Sequence, residues 1–186
     1  MIGPDGLFYY IAKLKCTVFS PEEIFLREWK FRGFPAFLTF GGRLIYVTDR
    51  INHGVQVYST QGNPVCAWGA KGCERGQFDK LCGIAVKYGQ IYVCDRGNNR
   101  IQVFDMAGSF LREWQSPCPS EICVGDNSAY VLDTFSRPKH TAMRQYHLAG
   151  QLISSITRVG KDFLPADTRE LILHPNGKCL CVWVLE

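Results

Sequence analysis

No run in the 186-residue chain approaches the ~18 consecutive apolar residues of a membrane span. None of the nine cysteines forms a Cys-x-x-Cys pair, and their number is odd. The paired spacing of a structural zinc site is therefore missing, and the expectation is no metal and no cofactor. Gly-x-Ser-x-Gly, His-Glu-x-x-His and a Gly-rich phosphate loop with Lys are all absent, so no catalytic residue is assigned. No window holds a sustained helical period. The start, Met1-Ile2-Gly3-Pro4-Asp5-Gly6, lacks a basic n-region and does not read as a signal peptide. The thiols then read as reduced, mostly small core hydrophobes of a cytoplasmic protein. Charge of one sign does not dominate either: 21 basic residues stand against 17 acidic ones. A net +4 permits an anionic partner without demanding one. With 46% hydrophobic and 20% charged residues, a disordered or fibrous chain is excluded.

What is present is repetition. Residues 89–114 read GQIYVCDRGNNRIQVFDMAGSFLREW, and residues 42–68 read GRLIYVTDRINHGVQVYSTQGNPVCAW. The end of the same unit appears at 16–29, CTVFSPEEIFLREW, and the tripeptide Arg-Glu-Trp recurs at 27–29 and 112–114. A more divergent copy runs from Ala129 to Ile153 with a short insertion, and a further start lies at 171–184. Each unit holds four short runs rich in Val, Ile, Tyr and Phe, bounded by Gly, Asn, Asp or Pro. Such runs are strands. Met106-Ala107-Gly108-Ser109 and Thr60-Gln61-Gly62-Asn63 are tight hairpin connections. Four-stranded units repeating at about 40 residues are blades of a β-propeller. The expected fold is all-β, a propeller of four-stranded antiparallel blades forming one domain. A partial blade spans 7–29, blades span 35–68, 82–114 and 120–156, and a partial blade spans 169–185. Tyr46, Tyr92 and Tyr130 share one position in strand two, and Trp29, Trp68 and Trp114 share one at the end of strand four. Both sets are assigned to packing between blades.

The pattern Gly-x-Ile-Tyr-Val-x-Asp-x-x-Asn-x-Arg-Ile-x-Val-Phe, followed by Gly-x-Phe-x-x-x-Trp, resembles the NHL repeat. The resemblance is strong over 42–114 and weaker elsewhere. It implies a propeller, usually six-bladed, that serves as a binding platform. In tripartite-motif relatives it binds substrate or RNA beside a ubiquitin-ligase RING. No RING, B-box or coiled coil is present in this sequence, so a ligase role would come through a separate chain. A smaller branch is similar to the peptidylglycine amidating lyase, which holds metal by histidines. The Asp-x-x-Asn-x-Arg loop is complete only at Asp95, Asn98 and Arg100. The second copy has Asp49 and Asn52 but Gly54 in the Arg position, and the fourth keeps Asp133 alone. A loop-fixing role accounts for these residues: the Asp accepts hydrogen bonds at the strand end, and the Arg pairs nearby.

From Thr134 to Lys161 there is no acid, and the inserted loop reads Ser-Arg-Pro-Lys-His-Thr at 136–141. Together with the equivalent loops of the preceding blades it gives a candidate ligand face: Arg50, His53, Arg96, Asn98, Arg100, Arg137, Lys139, His140 and Arg144. The expected partner is a protein or peptide, with single-stranded RNA on the same face as the alternative. His53 and His140 approach each other in a lyase-like reading, but His147 and His174 do not join them. A six-bladed ring at this period needs roughly 250 residues, so about four blades make an open arc or an incomplete ring. Open blade edges would then allow self-association.

Overall fold

Strand two of the repeats reads Ile-Tyr-Val at 45–47 and 91–93 and Ala-Tyr-Val at 129–131, apolar on both faces. A strand that is apolar on both faces must be covered on both. The computed structural model, which describes residues 1–135, 140–159, 170–173 and 179–182, shows what covers them. Blade one is an antiparallel sheet of β1 (Phe8–Ala12), β2 (Lys15–Phe19) and β3 (Phe25–Lys30). Blade two holds β4 (Pro35–Gly41), β5 (Leu44–Asp49), β6 (Gly54–Ser59) and β7 (Pro64–Trp68). A short parallel pair, β8 (Ala70–Lys71) with β9 (Gln77–Phe78), follows. Blade three holds β10 (Leu81–Lys87), β11 (Gln90–Asp95), β12 (Arg100–Asp105) and β13 (Phe110–Gln115), with a 3-10 turn at Arg96–Asn98. Blade four holds β14 (Pro119–Val124), β15 (Ser128–Phe135), β16 (His140–His147) and β17 (Leu152–Val159). Strands β18 (Glu170–Leu173) and β19 (Cys179–Val182) form a last pair.

Alternation along each strand splits its residues between two neighbours. Ile91 and Val93 pack back onto Tyr46, Val55 and Val57 of blade two. Tyr92 and Cys94 pack forward onto Ile122, Val124 and Val131 of blade four. Ile45 and Val47 face Tyr9, Val18 and Phe31 from blade one and its exit. Three apolar layers thus lie between four sheets, and Tyr9 occupies the tyrosine position in blade one. Its register confirms this: Tyr9 pairs with Val18 as Tyr46 pairs with Val57 and Tyr92 with Val103. Tyr46 and Tyr92 are buried, whereas Tyr130 is half-buried. The inner strands β4, β10 and β14, with β1, line a cavity of about 530 Å³.

Trp29, Trp68 and Trp114 each meet one glycine of the next blade. The Trp29 ring lies on Gly62, Trp68 on Gly108 and Trp114 on Gly150, all in the turn between strands three and four. These glycines have φ of +88°, +88° and +95°. A Cβ would meet the ring at 2.8 Å at Gly108 and at 2.9 Å at Gly150. The carbonyl two residues before each glycine is held from the preceding blade. Thr60 O accepts from Arg27 Nη2 at 2.8 Å, Met106 O from Tyr46 OH at 3.3 Å and Leu148 O from Arg112 Nε at 3.0 Å.

Gly108→Ala should therefore cost about 2–4 kcal/mol, because left-handed backbone strain and overpacking on Trp68 add. Gly42→Ala, at φ +62° in open space, should cost only about 1–2 kcal/mol. Urea unfolding of the two variants measures the difference, and equal losses would refute the ring-on-glycine contact as the cause.

Candidate functional site

Antiparallel order sends the loops between strands two and three, and the links between blades, to the same end of each sheet. The hairpins between strands one and two and between three and four emerge at the other end. The first end carries the candidate residues.

In blade three this end is tied together by Asp95, which is fully buried. Its Oδ1 accepts from Asp79 N at 2.8 Å and Asn98 Nδ2 at 3.0 Å, and its Oδ2 from Arg100 Nε at 2.8 Å. Gln102 Nε2 reaches Oδ2 as well, at 3.2 Å. The remaining Arg100 donors go to Glu113 Oε2 at 2.8 Å, Glu74 O at 2.8 Å and Gln77 O at 3.0 Å. Asn98 Nδ2 also donates to Gly72 O at 2.9 Å. In blade two, Asp49 Oδ1 accepts from the N–H groups of Phe34, Ile51 and Asn52, and Oδ2 from Asn52 Nδ2 at 2.7 Å and from Gln56. Burial pushes the Asp49 carboxyl up, but these donors outweigh it and hold the group below the usual carboxylate range.

Blade four departs from this pattern. Arg144 Nε donates to Asp133 Oδ2, while Asp133 Oδ1 is buried without a hydrogen-bond partner among the described residues. Asp133 has a partner after all, and it comes from an unexpected register. Arg144 lies opposite Val131, as Gln102 lies opposite Val93 and Gln56 opposite Val47. In blades two, three and four the position that reaches the buried Asp is thus Gln56, Gln102 and Arg144. The Asp-x-x-Asn-x-Arg spacing concealed it, and only alignment of strand three in all copies would have found it.

The candidate residues therefore separate. Asn98 and Arg100 stand inside the chain's own bonding and do not form an open ligand surface, since Arg100 is only 6% exposed. Arg144 is likewise turned inward to Asp133. Arg50 is exposed and Arg96 is half-buried. His53 is half-buried at φ +52°, with Nδ1 4.0 Å from Asp79 Oδ1 of the following blade. Arg137, Lys139 and His174 lie outside the described residues, and His140 begins β16. Beside Arg50 the structure adds two residues not foreseen from sequence: Phe34 is 47% exposed and Ile51 66% exposed. Both hang on Asp49 Oδ1 through their backbone N–H groups, and Arg32 is exposed next to them. Among the described residues no three His, Cys, Asp or Glu side chains group as metal ligands, and no helix is long and apolar enough to cross a membrane. Cys16, Cys66, Cys73, Cys82, Cys94, Cys118 and Cys123 are free thiols.

Residues 36–178 match the family described as 6-bladed beta-propeller. The chain belongs to this propeller family. Six blades exceed the about four read from the repeat, and the described residues hold three complete four-stranded sheets between a three-stranded and a two-stranded one. The propeller is similar to the protein brain tumor of Drosophila melanogaster, 33% identical over 97 residues, which are 47% of this chain and 9% of that protein. It is also similar to the E3 ubiquitin-protein ligase TRIM71 of Rattus norvegicus, 48% identical over 50 residues, 26% of this chain and 6% of that one. The chain thus spans less than a tenth of either curated relative. Among solved structures, a streptogramin B lyase superposes with a TM-score of 0.67 at 13% identity, covering 98% of this chain and 66% of the lyase. At that identity the likeness is one of fold.

Burial pushes the Asp133 carboxyl up to about 6, and Arg144 and Ser116 lower it only in part. The folded propeller then binds a proton more tightly than the unfolded chain, whose Asp titrates near ~3.9. This group's contribution falls as pH rises through that window. Asp133→Asn should flatten the pH dependence between about 4 and 6.5, removing a spread of about 2–3 kcal/mol relative to wild type. Urea midpoints of both proteins across that range check it, and parallel profiles would refute it.

Proposed function

We propose that this propeller is a non-enzymatic scaffold of the NHL type that binds a protein or peptide partner on the end carrying the loops between strands two and three. The observation that supports it is the mixed patch at blade two. Phe34 and Ile51 expose large apolar surface beside the cations Arg32 and Arg50, while the acid beneath them, Asp49, is consumed by internal bonds. Apolar anchors ringed by cations suit an acidic, partly apolar peptide better than a phosphate backbone. The resemblance of the repeats to those of the brain tumor protein and TRIM71 agrees with a scaffold role. Arg96 and His53 belong to the same end, and by the sequence reading Arg137, Lys139 and His140 would join them. As a single domain whose repeats run from the partial blade at 7–29 to the one at 169–185, the chain would present this face as one unit.

RNA is the second reading, favoured by the net charge of +4 and the acid-free stretch from 134 to 161. The resemblance to the peptidylglycine amidating lyase supplies a third, in which purified protein would carry stoichiometric zinc or calcium.

Arg50→Glu combined with Ile51→Ser should abolish partner capture by an affinity-tagged chain, with unchanged thermal unfolding. Retention of the same partners by the double variant would sink the assignment of the face. For RNA, affinity for a single-stranded pool should fall steeply between low and moderate salt as counterion release weakens. Absence of any shift with that pool would leave the protein reading standing alone.

A further inference from the structure

Blade three carries a stretch of chain across its strands three and four, and blade two does not. Residues 69–80 link β7 to β10, and the middle of this link is bound side chain by side chain. Arg100 Nη2 donates to Glu74 O and Gln77 O, Gln102 Nε2 donates to Gln77 O at 2.8 Å, and Gln102 Oε1 accepts from Gly76 N at 3.0 Å. The Arg75 guanidinium lies 5.2 Å from the centre of the Phe110 ring. Residues 72–78 therefore form a strap lying in a trough on blade three.

The link from blade one to blade two is only residues 31–34. It keeps the aromatic wedge and drops the strap. Phe31 packs at 6.3 Å from Trp29 and 5.3 Å from Tyr58, as Phe78 packs at 6.1 Å from Trp68 and 5.7 Å from Phe104. The trough itself is also emptied of bulk. By register, Gly54, Gln56 and Ala67 stand where blade three has Arg100, Gln102 and Glu113. What remains is a groove of about 600 Å³ lined by Arg32, Asn52, Gln56, Tyr58, Val65 and Ala67, among others. Its outer wall, β7, is an edge strand with no charge from Pro64 to Ala70, whereas β3 and β13 both carry Arg-Glu there. Val65 is 55% exposed. The one cation in the lining, Arg32, forms no ion pair with a carboxylate among the described residues.

We propose that this groove is a docking site for an extended peptide segment of a partner protein, which lies on blade two as residues 72–78 lie on blade three and sets an acidic residue against Arg32. An open trough walled by an unpaired, uncharged edge strand favours extended backbone. The chain's own use of the equivalent trough shows which kind of occupant the geometry accepts. The groove shares Arg32 with the loop patch, but Ala67 and Val65 belong to the groove alone and Arg50 and Ile51 do not line it, so Ala67→Trp and the Arg50/Ile51 variant test the two separately.

The probe is the acetylated, amidated peptide of residues 70–79 with Cys73→Ser, carrying a fluorophore and titrated with the full chain by anisotropy. Saturable binding with a Kd below about 1 mM is expected. Ala67→Trp, which fills the groove, should weaken it at least about tenfold, as loss of a central buried contact does. Arg32→Glu should weaken it about threefold or more, and a Glu74→Lys peptide should regain that loss, as charge complementarity requires. Arg32 is exposed, so its variant reads binding without threatening the core. No saturation at millimolar chain, or wild-type affinity in both variants, would overturn the proposal. So would a concentration-dependent dimer abolished by Ala67→Trp with no peptide binding, since a second copy would then own the groove.

Discussion

The contact of a tryptophan with the turn glycine of the next sheet is what the rest of the propeller depends on. A four-stranded sheet that is apolar on both faces has no stable existence alone, and its neighbours must meet it in one register. The ring of Trp29, Trp68 or Trp114 supplies that register, because a flat indole lies only where the opposing residue has no Cβ. The bonded carbonyl two residues earlier fixes the remaining freedom, from Arg27, Tyr46 or Arg112. Where Cys66 replaces the arginine in blade two, the tyrosine hydroxyl reaches the carbonyl instead. The repeated Arg-Glu-Trp is thus three jobs in succession. The Arg holds the next blade, the Glu holds the first residue of strand three, and the Trp sets the packing. Lys15 with Glu28 at 2.7 Å repeats the second job performed by Arg100 with Glu113.

The opposite end of blades two, three and four is fixed by different chemistry. There a buried carboxylate gathers donors, at Asp49 and Asp95 from both the strand entry and its own loop, so a turn without a hairpin's regularity still has one shape. The cost of burying that charge is met where donors are many, as at Asp49, and is met incompletely at Asp133. Blades locked at one end by packing and at the other by a carboxylate need nothing further from the loop surfaces. Arg50, Ile51 and Phe34 are therefore at liberty to serve a partner, whereas Asn98 and Arg100 are not.

The strands and blades could be read from the sequence because burial on both faces writes Ile-Tyr-Val into blades two and three and Ala-Tyr-Val into blade four, at recurring intervals. Tyr9 is hard to align from sequence because blade one shortens the following turn and has Ala12 opposite Lys15, where blade three pairs Asp95 with Arg100. Arg144 reads as a surface cation in the sequence because its position relative to Asp133 follows strand register, which an insertion hides. Arg100 looked like part of a ligand face because a charged loop residue and a buried tie share one motif. The blade number of the family lay beyond the repeats themselves, since each copy specifies its neighbours and not the count.

The groove on blade two illustrates a property that no single repeat encodes. It exists because two independent changes coincide: a short link that carries no strap, and small residues at Gly54 and Ala67 beneath the place the strap would lie. Either change alone would leave an unfavourable surface. A strap above Gly54 would lose the guanidinium that binds its carbonyls in blade three, and an arginine at that position without a strap would hold donors aimed at nothing. Blade two instead keeps Gln56, which turns to Asp49 and Tyr58 while the groove is open. In blade three the same amide spans the buried carboxylate and the strap at once, with Nε2 shared between Asp95 and Gln77 O. A glutamine that satisfies itself when the trough is empty and reaches an added backbone when it is filled lets one scaffold carry either state without burying an unmet polar group.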